Sequence, residues 1–279
     1  MFYLLKSFIQ MKILFNKSEL NEALDGVTKL GFVPTMGSLH SGHASLIRNS
    51  LKECKQTIVS IFVNPRQFNS KRDFTRYPRN KQKDLNFLKR LKVNFVFLPK
   101  KGEIFDSKKT KFRLKNKDNV LCAKYRKGHF EGVIDVMSRL TKIIQPSKIF
   151  MGEKDFQQIY LLKKYLKIKS NCEIISCKTI RERNKLALSS RNSLLKKKDF
   201  IKAGNIARDI FFFKKKITKK KHLNDLFLNK KKELEKIYKI KIEYFELRKK
   251  LNLKHTKNFN NAKIFIAYYL NNIRLIDNF

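Results

Sequence analysis

The sequence predicts an α/β fold, with a doubly wound, mostly parallel sheet followed by a smaller C-terminal α+β domain. Three observations predict it. Short apolar runs alternate with amphipathic helical stretches early in the chain, Gly-containing polar segments follow several of these runs directly, and lysine-rich helical stretches with two late strand-like runs fill the remainder. We therefore expect one domain over residues 1–182 and a second over residues 183–279, with residues 1–10 as an extension ahead of Met11.

Five apolar runs of strand length define the predicted sheet. They are Gly31–Val33, Thr57–Val63, Val93–Leu98, Lys148–Met151 and Glu173–Cys177. Near-continuous apolar runs are typical of strands that a parallel sheet buries on both faces. Helical stretches separate them, at 44–51, 81–91, 133–144 and 156–166. Right-handed crossovers between such strands give a parallel sheet.

Local signals predict where two of these elements begin and end. A first helix is expected after Ser18, a side chain that can cap the helix N-terminus. Pro34 is expected to end the strand that begins at Gly31, because proline cannot donate to a ladder inside a sheet. The segment 100–117 is lysine-rich and weakly patterned, which predicts a loop or a peripheral hairpin.

The C-terminal part combines lysine runs with apolar residues at helical spacing. The runs lie at 196–198, 214–216, 219–221 and 230–232, and strand-like segments follow at 242–247 and 262–270. Lysines on one side of an amphipathic helix are most simply a solvated face. The pattern therefore predicts a small α+β domain whose lysines face water.

The formal net charge of +42 raises the question of nucleic-acid binding. The lysines are spread over the whole chain, together with many Phe, Ile and Asn residues and no Trp. That distribution indicates a drift in overall composition and not a local basic patch. We predict no dedicated nucleic-acid partner, although such a field attracts polyanions, nucleotides included, at low salt.

Cysteine usage and hydropathy indicate the cellular compartment in which the protein acts. The four cysteines form no C-x-x-C pair and have no histidine partner at zinc-ligand spacing. They are expected to be free thiols in a reducing compartment. No apolar run approaches the roughly 18 residues that span a bilayer. We therefore expect a cytoplasmic protein without a membrane partner.

The stretch Pro34–His43 is the strongest functional signal in the sequence. It joins a predicted strand to a helix and contains a His-x-Gly-His pattern. Glycine lets the backbone approach a ligand closely, and a helix N-terminus presents N–H groups and positive potential to an anion. His40 and His43, three residues apart, can address the same group. This stretch is predicted to hold a phosphate.

Further polar groups follow other predicted strands. They are Gln67, Lys154 and the triplet Ser189–Ser190–Arg191. Open α/β sheets bind ligands beyond the carboxyl ends of their strands, so these groups are expected to converge. Cationic and N–H donors of this kind suit a reaction in which a carboxylate attacks the α-phosphate of ATP. The sequence lacks a G-x-x-x-x-G-K-[S/T] loop, which disfavours γ-phosphate transfer by a P-loop enzyme.

Six motifs together resemble the pantothenate synthetase (pantoate–β-alanine ligase) family. They are PTMGSLHSGH at 34–43, FVNPRQF at 62–68, GHFEGV at 128–133, GEKDFQQ at 152–158, LSSRN at 188–192 and RLIDN at 274–278. His-x-Gly-His alone indicates only the broader nucleotidyltransferase superfamily, whereas all six motifs occur here in family order. The resemblance implies a Rossmann-like domain with a small C-terminal lid domain, usually as a homodimer.

The resemblance also implies an activity. It is the ATP-dependent condensation of (R)-pantoate with β-alanine to pantothenate, AMP and diphosphate, through a pantoyl-adenylate intermediate. The implied partners are pantoate, β-alanine and ATP. Mg²⁺ would be held largely by the triphosphate, and Asp84 is the protein ligand expected for it.

Residue roles are implied in the same way. His43 is the expected catalytic proton donor, His40 contacts phosphate, and Lys154 and Arg191 lie nearest the phosphates. Gln67 and Gln158 hold pantoate, and Gln67 also helps to place β-alanine. The residues expected to bind the nucleotide are Met36, Gly37, Ser38, Leu39, His40, Ser41, Gly42, His43, Gly152, Glu153, Lys154, Asp155, Ile180, Leu188, Ser189, Ser190 and Arg191.

Three other functions stay open at this stage. A phosphopantetheine or nicotinate-nucleotide adenylyltransferase would share the two histidines, but the paired glutamines fit a small hydroxy acid better than a phosphorylated acceptor. A lysine-rich nucleic-acid-binding protein would bind with steep salt dependence and would not need His43. A ligase with drifted loops that has lost activity is a further alternative, against which the intact motifs argue.

Overall fold

The computed structural model describes residues 10–105, 112–166, 172–217 and 223–279. Its main sheet is parallel throughout, with spatial order β1-β4-β3-β2-β5-β6. The strands are β1 (Lys12–Leu14), β2 (Leu30–Thr35), β3 (Gln56–Ile61), β4 (Phe95–Phe97), β5 (Lys148–Gly152) and β6 (Glu173–Cys177). The predicted doubly wound sheet is confirmed.

The order of the strands reverses between β2 and β5. The chain builds outward from β2 through β3 and β4 on one side, and through β5 and β6 on the other. Since β2 and β5 are parallel neighbours, their carboxyl ends lie side by side. Ligands bind at such a switch point in open α/β sheets. The fold therefore brings the segments after β2 and β5 together.

Helices cover both faces of this sheet. They are α1 (Lys17–Leu24), α2 (Ser41–Glu53), α3 (Lys71–Arg76), α4 (Lys81–Arg90), α5 (Lys101–Ile104), α6 (Cys122–Tyr125), α7 (His129–Ile144) and α8 (Phe156–Tyr165). Val33 packs on one face in a cluster with Ile47 of α2 and Leu88 of α4. Phe32 packs on the other face in a cluster with Leu140 of α7. Successive strand residues point to opposite faces, and both are fully buried here.

A second, antiparallel sheet lies in the C-terminal part. Its strands are β7 (Lys241–Lys249), β8 (Ala262–Leu270) and β9 (Ile273–Asn278), in that spatial order. Two helices, α9 (Lys197–Ile217) and α10 (Leu223–Tyr238), pack on it. Ile210 of α9, Leu234 of α10 and Ile264 of β8 belong to the same apolar cluster. The predicted smaller α+β unit is thereby confirmed in its fold class.

The strand predictions need three corrections. β1 was not predicted, because three residues are too few for a periodicity signal, yet it pairs with β4 at the sheet edge. β2 continues through Pro34 instead of ending there. Its pairing with β5 stops at Phe32, so at Pro34 a ladder exists only on the β3 side. β9, which the sequence shows only as a motif, is a strand.

The first helix is also capped differently from the prediction. It begins at Lys17, and Asn16 is the N-cap residue, with its Oδ1 accepting the backbone N–H of Glu19 at 2.9 Å. Ser18 lies inside the helix instead. Asparagine and serine cap equally well, so the choice between neighbouring polar residues is not encoded in their type alone.

The predicted solvated lysine faces are borne out in part among the described residues. Lys196–Lys198, Lys215, Lys216 and Lys232 are exposed, whereas Lys214, Lys230 and Lys231 are only partly exposed. Lys214–Lys216 lie in α9 and Lys230–Lys232 in α10. The run at 219–221 and part of the predicted loop 100–117 lie outside the described residues. Among the residues described, no helix has both the length and the apolar character that a bilayer crossing requires.

Candidate active site

The loop that follows β2 is held by one buried carboxylate. Gly37 and Ser38 have φ angles of +80° and +52°, in the left-handed region. Asp84, in the first turn of α4, accepts the N–H of Ser38 on Oδ2 and the N–H of Leu39 on Oδ1, both at 2.8 Å. A Cβ at position 37 would lie 2.9 Å from Asp84 Oδ2. Glycine is therefore needed there for conformation and for close approach.

Two histidines cap α2. His40 is the N-cap residue, and its Nδ1 accepts the N–H of Gly42 at 3.1 Å. His43 Nδ1 accepts the N–H of His40 at 3.3 Å. Because each Nδ1 accepts a hydrogen bond, each neutral ring carries its proton on Nε2. Both rings can then donate from Nε2. We call residues 36–43 the histidine loop.

Burial keeps the two histidines uncharged at neutral pH. Burial, together with the nearby cation of Lys154, lowers the pKa of His40 to about 4. Burial also takes the pKa of His43 well below 6.5, with added repulsion from His40 and Lys154. The predicted role of His43 as a proton donor needs an imidazolium. The neutral ring can donate a hydrogen bond from Nε2, and the role of His43 as a catalytic proton donor stays a prediction.

The segment after β5 carries the predicted lysine. It is a 3₁₀ turn, Glu153–Asp155, which we call the lysine turn. Lys154 Nζ lies 3.2 Å from Asp155 Oδ1. Asn278 Nδ2, on β9, donates to the carbonyl oxygens of Glu153 at 2.7 Å and of Lys154 at 3.0 Å. The antiparallel sheet thus holds this turn.

A third segment, residues 189–191, packs against the histidine loop. Ser190 Oγ donates to the carbonyl oxygen of Ser38 at 3.0 Å. The Arg191 guanidinium pairs with Asp73 Oδ2 at 2.9 Å. This contact fixes an arginine that lines the same cavity as the two histidines, and a guanidinium can bind two oxygens of one anionic group.

The two predicted glutamines come from different elements. Gln67 ends a 3₁₀ turn, Pro65–Gln67, and its Oε1 accepts from Asn64 Nδ2 at 3.2 Å. Gln158 lies in the first turn of α8. Its neighbour Gln157 is buried and bonds instead to the backbone of residues 120 and 122. Adjacent helical residues point in different directions, so one glutamine serves the fold and the other faces the cavity.

These segments surround a cavity of about 900 Å³, a size typical of small-molecule sites. The predicted site residues that line it are Met36, His40, Gly42, His43, Gln67, Gly152, Lys154, Asp155, Gln158, Ile180, Leu188, Ser189, Ser190 and Arg191. Motifs that are far apart in the sequence therefore meet in one place. This convergence is what the strand-end argument predicted.

The remaining predicted nucleotide-binding residues do not line the cavity. Gly37, Ser38 and Leu39 form the turn that Asp84 holds. Ser41 is exposed at the start of α2. The Glu153 carboxylate turns toward Lys263, at 3.3 Å from its Nζ. These residues shape the site through the backbone, while their side chains point elsewhere.

The site contains functional groups to which the sequence analysis gave no role. Arg126 and His129 line the cavity, with Arg126 NH1 2.8 Å from His129 Nε2. His129 Nδ1 lies 2.7 Å from the carbonyl oxygen of Gln67. Burial lowers the pKa of Arg126 to about 10, aided by repulsion from Arg191 and Arg274. The sequence signal that could have identified these two residues is the group of basic and imidazole side chains beside the glycines of residues 128–133.

Asp84 does not fit the predicted role of a metal ligand. Its two oxygens already accept the N–H groups of Ser38 and Leu39, and the residue is 3% exposed. Among the described residues, no group of three or more His, Cys, Asp or Glu side chains could hold a metal ion.

The fold and the cavity define a class: doubly wound α/β proteins with a cationic cavity, built around a His-x-Gly-His loop, at the switch point of the sheet. The sequence matches the family profile described as pantoate-beta-alanine ligase over residues 12–279. The chain belongs to the pantoate-beta-alanine ligase family.

Curated relatives agree with this assignment over nearly their whole length. The chain is similar to pantothenate synthetase of Flavobacterium psychrophilum, with 38% identity over 269 residues, covering 94% of this chain and 95% of the relative. Pantothenate synthetase of Azobacteroides pseudotrichonymphae is 39% identical over 281 residues, covering 96% and 99%.

Solved structures agree on the fold. Pantothenate synthetase from Thermus thermophilus matches with a TM-score of 0.89 and 28% identity, covering 96% of this chain and 99% of that chain. Pantoate-beta-alanine ligase from Francisella tularensis, complexed with beta-gamma ATP and beta-alanine, matches with a TM-score of 0.80 and 35% identity, covering 97% of each chain. The predicted fold class and family are confirmed.

Proposed function

We propose that this protein condenses (R)-pantoate with β-alanine, using ATP, to give pantothenate, AMP and diphosphate. One observation carries the proposal in this family member. Donor groups from sequence-distant motifs, including His40, His43, Lys154 and Arg191, line the same cavity as Gln67 and Gln158. This set suits a nucleotide and a small hydroxy acid bound side by side.

In the first step, a carboxylate oxygen of pantoate attacks the α-phosphorus of ATP. The bond from that phosphorus to the bridging oxygen breaks, and pyrophosphate leaves with the electron pair. Negative charge grows on the phosphate oxygens during this exchange. The Nε2–H groups of the histidines and the Lys154 ammonium are already positioned as donors, so they stabilise the charge without reorganising.

The residues that hold pantoate must leave its carboxylate free to react. Gln67 and Gln158 offer amide donors and acceptors, which match hydroxyl groups and bind no phosphate by charge. This is the property that favours pantoate over a phosphorylated acceptor. The proposal therefore prefers the ligase to an adenylyltransferase that acts on phosphopantetheine or a nicotinate nucleotide.

In the second step, the amine nitrogen of β-alanine attacks the carbonyl carbon of pantoyl adenylate. The carbon–oxygen bond to AMP breaks, AMP leaves, and the new amide nitrogen loses a proton. We propose that Gln67 helps to place the amine. The neighbouring Arg126 contributes positive charge to this part of the cavity.

The broader setting is proposed with the reaction. ATP would enter with Mg²⁺ bound to its phosphates. Residues 1–182 and 183–279 would form the nucleotide- and pantoate-binding domain and the lid domain. The protein would act in the cytoplasm as a homodimer. These statements rest on the family resemblance and on the free, unpaired state of the described cysteines.

The test is pyrophosphate release with ATP, Mg²⁺ and D-pantoate, measured with and without β-alanine. We expect release to require pantoate and to become sustained, with pantothenate formed, when β-alanine is added. His43→Ala serves as the matched inactive variant. Release with another acceptor would assign a different transferase, and salt-sensitive RNA binding without release would support the nucleic-acid alternative.

A further inference from the structure

The motif at residues 274–278 has no role in the reaction as described so far. It forms most of β9, the strand of the antiparallel sheet nearest the main sheet's lysine turn. Two of its residues, Asp277 and Asn278, are buried polar side chains, 7% and 3% exposed. Buried polar groups require partners, so the residues that satisfy them show what this strand is built to hold.

Asn278 holds the lysine turn by its backbone. Its amide nitrogen, Nδ2, donates to the carbonyl oxygens of Glu153 at 2.7 Å and of Lys154 at 3.0 Å. Its Oδ1 accepts from Lys263 Nζ at 3.0 Å. An amide group can donate two hydrogen bonds, and Asn278 uses both on consecutive residues of one turn.

Asp277 holds a second segment of the cavity. Arg181 binds it in a two-pronged pair, NH1 to Oδ2 at 2.7 Å and NH2 to Oδ1 at 2.9 Å. Arg181 also donates to the carbonyl oxygen of Asn278 at 3.0 Å. It sits in a bridge with Ala187, and next to it Leu188 N–H bonds to Ile180 O at 3.0 Å.

The two neighbours of β9 thus reach the same cavity. Lys154 lines it from the lysine turn, and Ile180 and Leu188 line it from the Arg181 segment. One pair of adjacent residues therefore connects the antiparallel sheet to two separate parts of the wall. The histidine loop is anchored differently, since Asp84 belongs to the main sheet's own helices.

We propose that Asn278 is a positioning residue for Lys154, with Asp277 and Arg181 holding β9 in the register that Asn278 needs. This inference rests on the proposed function, because it concerns the lysine that stabilises charge on the α-phosphate. Asn278 does not touch the reacting atoms. It fixes the main chain from which Lys154 projects, and the ammonium of Lys154 reaches the cavity from that anchor.

The physical reason is the sensitivity of charge stabilisation to distance. A lysine ammonium is a point charge on a flexible stem, so its placement depends on where its main chain is held. Small displacements of groups that are not reacting themselves cost large factors in rate. Loss of the two amide bonds would free the turn, and Lys154 would meet the phosphate less often in the productive position.

The experiment is a double-mutant cycle on adenylate formation. Single-turnover rates with ATP, Mg²⁺ and D-pantoate are measured for the wild type, Asn278→Asp, Lys154→Ala and the double variant. Asn278→Asp keeps the size and the Oδ1 contact with Lys263 but presents an oxygen to the two carbonyls. We expect roughly a 10- to 100-fold loss from Asn278→Asp alone. In the Lys154→Ala background we expect less than about a 3-fold further loss.

A separate readout distinguishes positioning from general damage. ATP affinity should change by less than about 3-fold in Asn278→Asp, because Lys154 acts more on the transition state than on the ground state. Thermal unfolding of each variant identifies the assay temperature at which all are folded. Asn278→Ala repeats the cycle without introducing a charge, so a result peculiar to the aspartate would be recognised.

Lys263→Met is the matched control. It removes the Lys263 contacts with Asn278 and Glu153 but leaves both carbonyl-directed bonds, and we expect its rate to stay within about 3-fold of wild type. Losses that multiply in the double variant would overturn the inference, as would a Lys263→Met loss equal to that of Asn278→Asp. A wild type that releases no pyrophosphate would instead overturn the proposed function.

Discussion

The histidine loop and the lysine turn face one cavity from neighbouring strands, yet they are anchored from different parts of the protein. The histidine loop follows β2 and is held by Asp84 of α4, within the helices of the main sheet. The lysine turn follows β5 and is held by Asn278 of the antiparallel sheet. One part of the donor set is therefore built into the parallel sheet, and the other depends on how the second sheet docks.

This difference teaches how the two halves should respond to change. The hydrogen bonds that Asp84 accepts from two backbone N–H groups are buried and charge-assisted, so the histidine loop should keep its shape when the second sheet moves. Its further bond, from Ser190 to the carbonyl oxygen of Ser38, comes from a segment outside that sheet. The lysine turn should follow that sheet. Substitutions in the histidine loop should therefore leave the docking of the second sheet unchanged, whereas those near β9 should couple chemistry to docking.

The largest expected effect comes from His43→Ala, which removes a donor from the independently anchored half. Adenylate formation should fall by about 10²–10³-fold, the typical cost of one preorganised donor to a developing charge. The measurement is single-turnover formation of pantoyl adenylate. His255→Ala, on an exposed histidine of the second sheet, is the control and should keep its activity. Undiminished turnover of His43→Ala would remove this ring from the mechanism.

Lys154→Ala tests the half that depends on β9. A hydrogen bond to a charged group contributes about 1.5–3 kcal/mol, so we expect a loss of roughly 10- to 150-fold in rate. ATP affinity, measured by titration, should weaken much less than the rate. An equal loss in both quantities would show that Lys154 anchors the ground state only.

Asp84→Asn is expected to destabilise the histidine loop. The amide leaves one backbone N–H of Ser38 or Leu39 without an acceptor, at a cost of about 1–3 kcal/mol in the free energy of unfolding. Activity should fall roughly 10-fold as the loop loosens. Urea unfolding and the dependence of the rate on Mg²⁺ concentration provide the measurements.

The Mg²⁺ titration separates two roles for Asp84. If the carboxylate only holds the loop, the rate defect of Asp84→Asn stays the same at all Mg²⁺ concentrations. Recovery of the rate at high Mg²⁺ would restore the metal-ligand prediction. Asn80→Ala, which removes only the N-cap of α4, is the matched control for a change at this helix start.

The smallest expected effect is a dependence of stability on pH. The folded pKa of His40 is about 4, and that of the unfolded chain is 6.5. Between these values the unfolded chain binds more protons than the folded protein, so the free energy of unfolding falls as pH is lowered through this window. We expect at most about 1–2 kcal/mol after solvent screening.

The matched variants for the pH effect are His40→Asn and His255→Asn. Asparagine retains an N-cap acceptor, so His40→Asn should reduce the slope between about pH 4 and 6.5 without losing the helix cap. Burial also lowers the pKa values of His43 and His129, and these two residues keep the remaining slope. His255→Asn replaces an exposed histidine outside the cavity and is the control for the loss of a histidine as such. Urea unfolding at several pH values would contradict the assignment if both variants behaved alike.

Most of the fold could be predicted because its signals are local. Apolar runs such as Thr57–Val63 and Lys148–Met151 are long enough to show burial on both faces, and parallel strands bring their ends to one edge. β1 carries no such signal, because three residues cannot show a period. The prediction that Pro34 ends the strand is wrong because a strand tolerates proline at a position where one of its two neighbouring strands is absent. Which positions of a strand are paired cannot be read from one sequence.

The candidate site could be predicted to the extent that its residues belong to strand ends. His40, His43, Gln67, Lys154 and Arg191 converge as expected. The role of Asp84 could not be predicted, since its partners are backbone N–H groups far away in the sequence. Main-chain donors leave no trace in residue type, so a carboxylate beside a nucleotide motif is easily mistaken for a metal ligand.

The histidine cap of α2 has a consequence for how this site can change over evolutionary time. Active-site side chains commonly lower stability, so their replacement after a loss of function tends to raise the free energy of unfolding. Here His40 and His43 also accept hydrogen bonds from N–H groups that would otherwise have no acceptor at the start of the helix. A lineage that abandoned the chemistry would still need a cap, and the residues that supply one at position 40 are Asn, Asp and Ser. Such a replacement in an otherwise intact homologue would therefore mark a descendant that has kept the scaffold and given up the reaction.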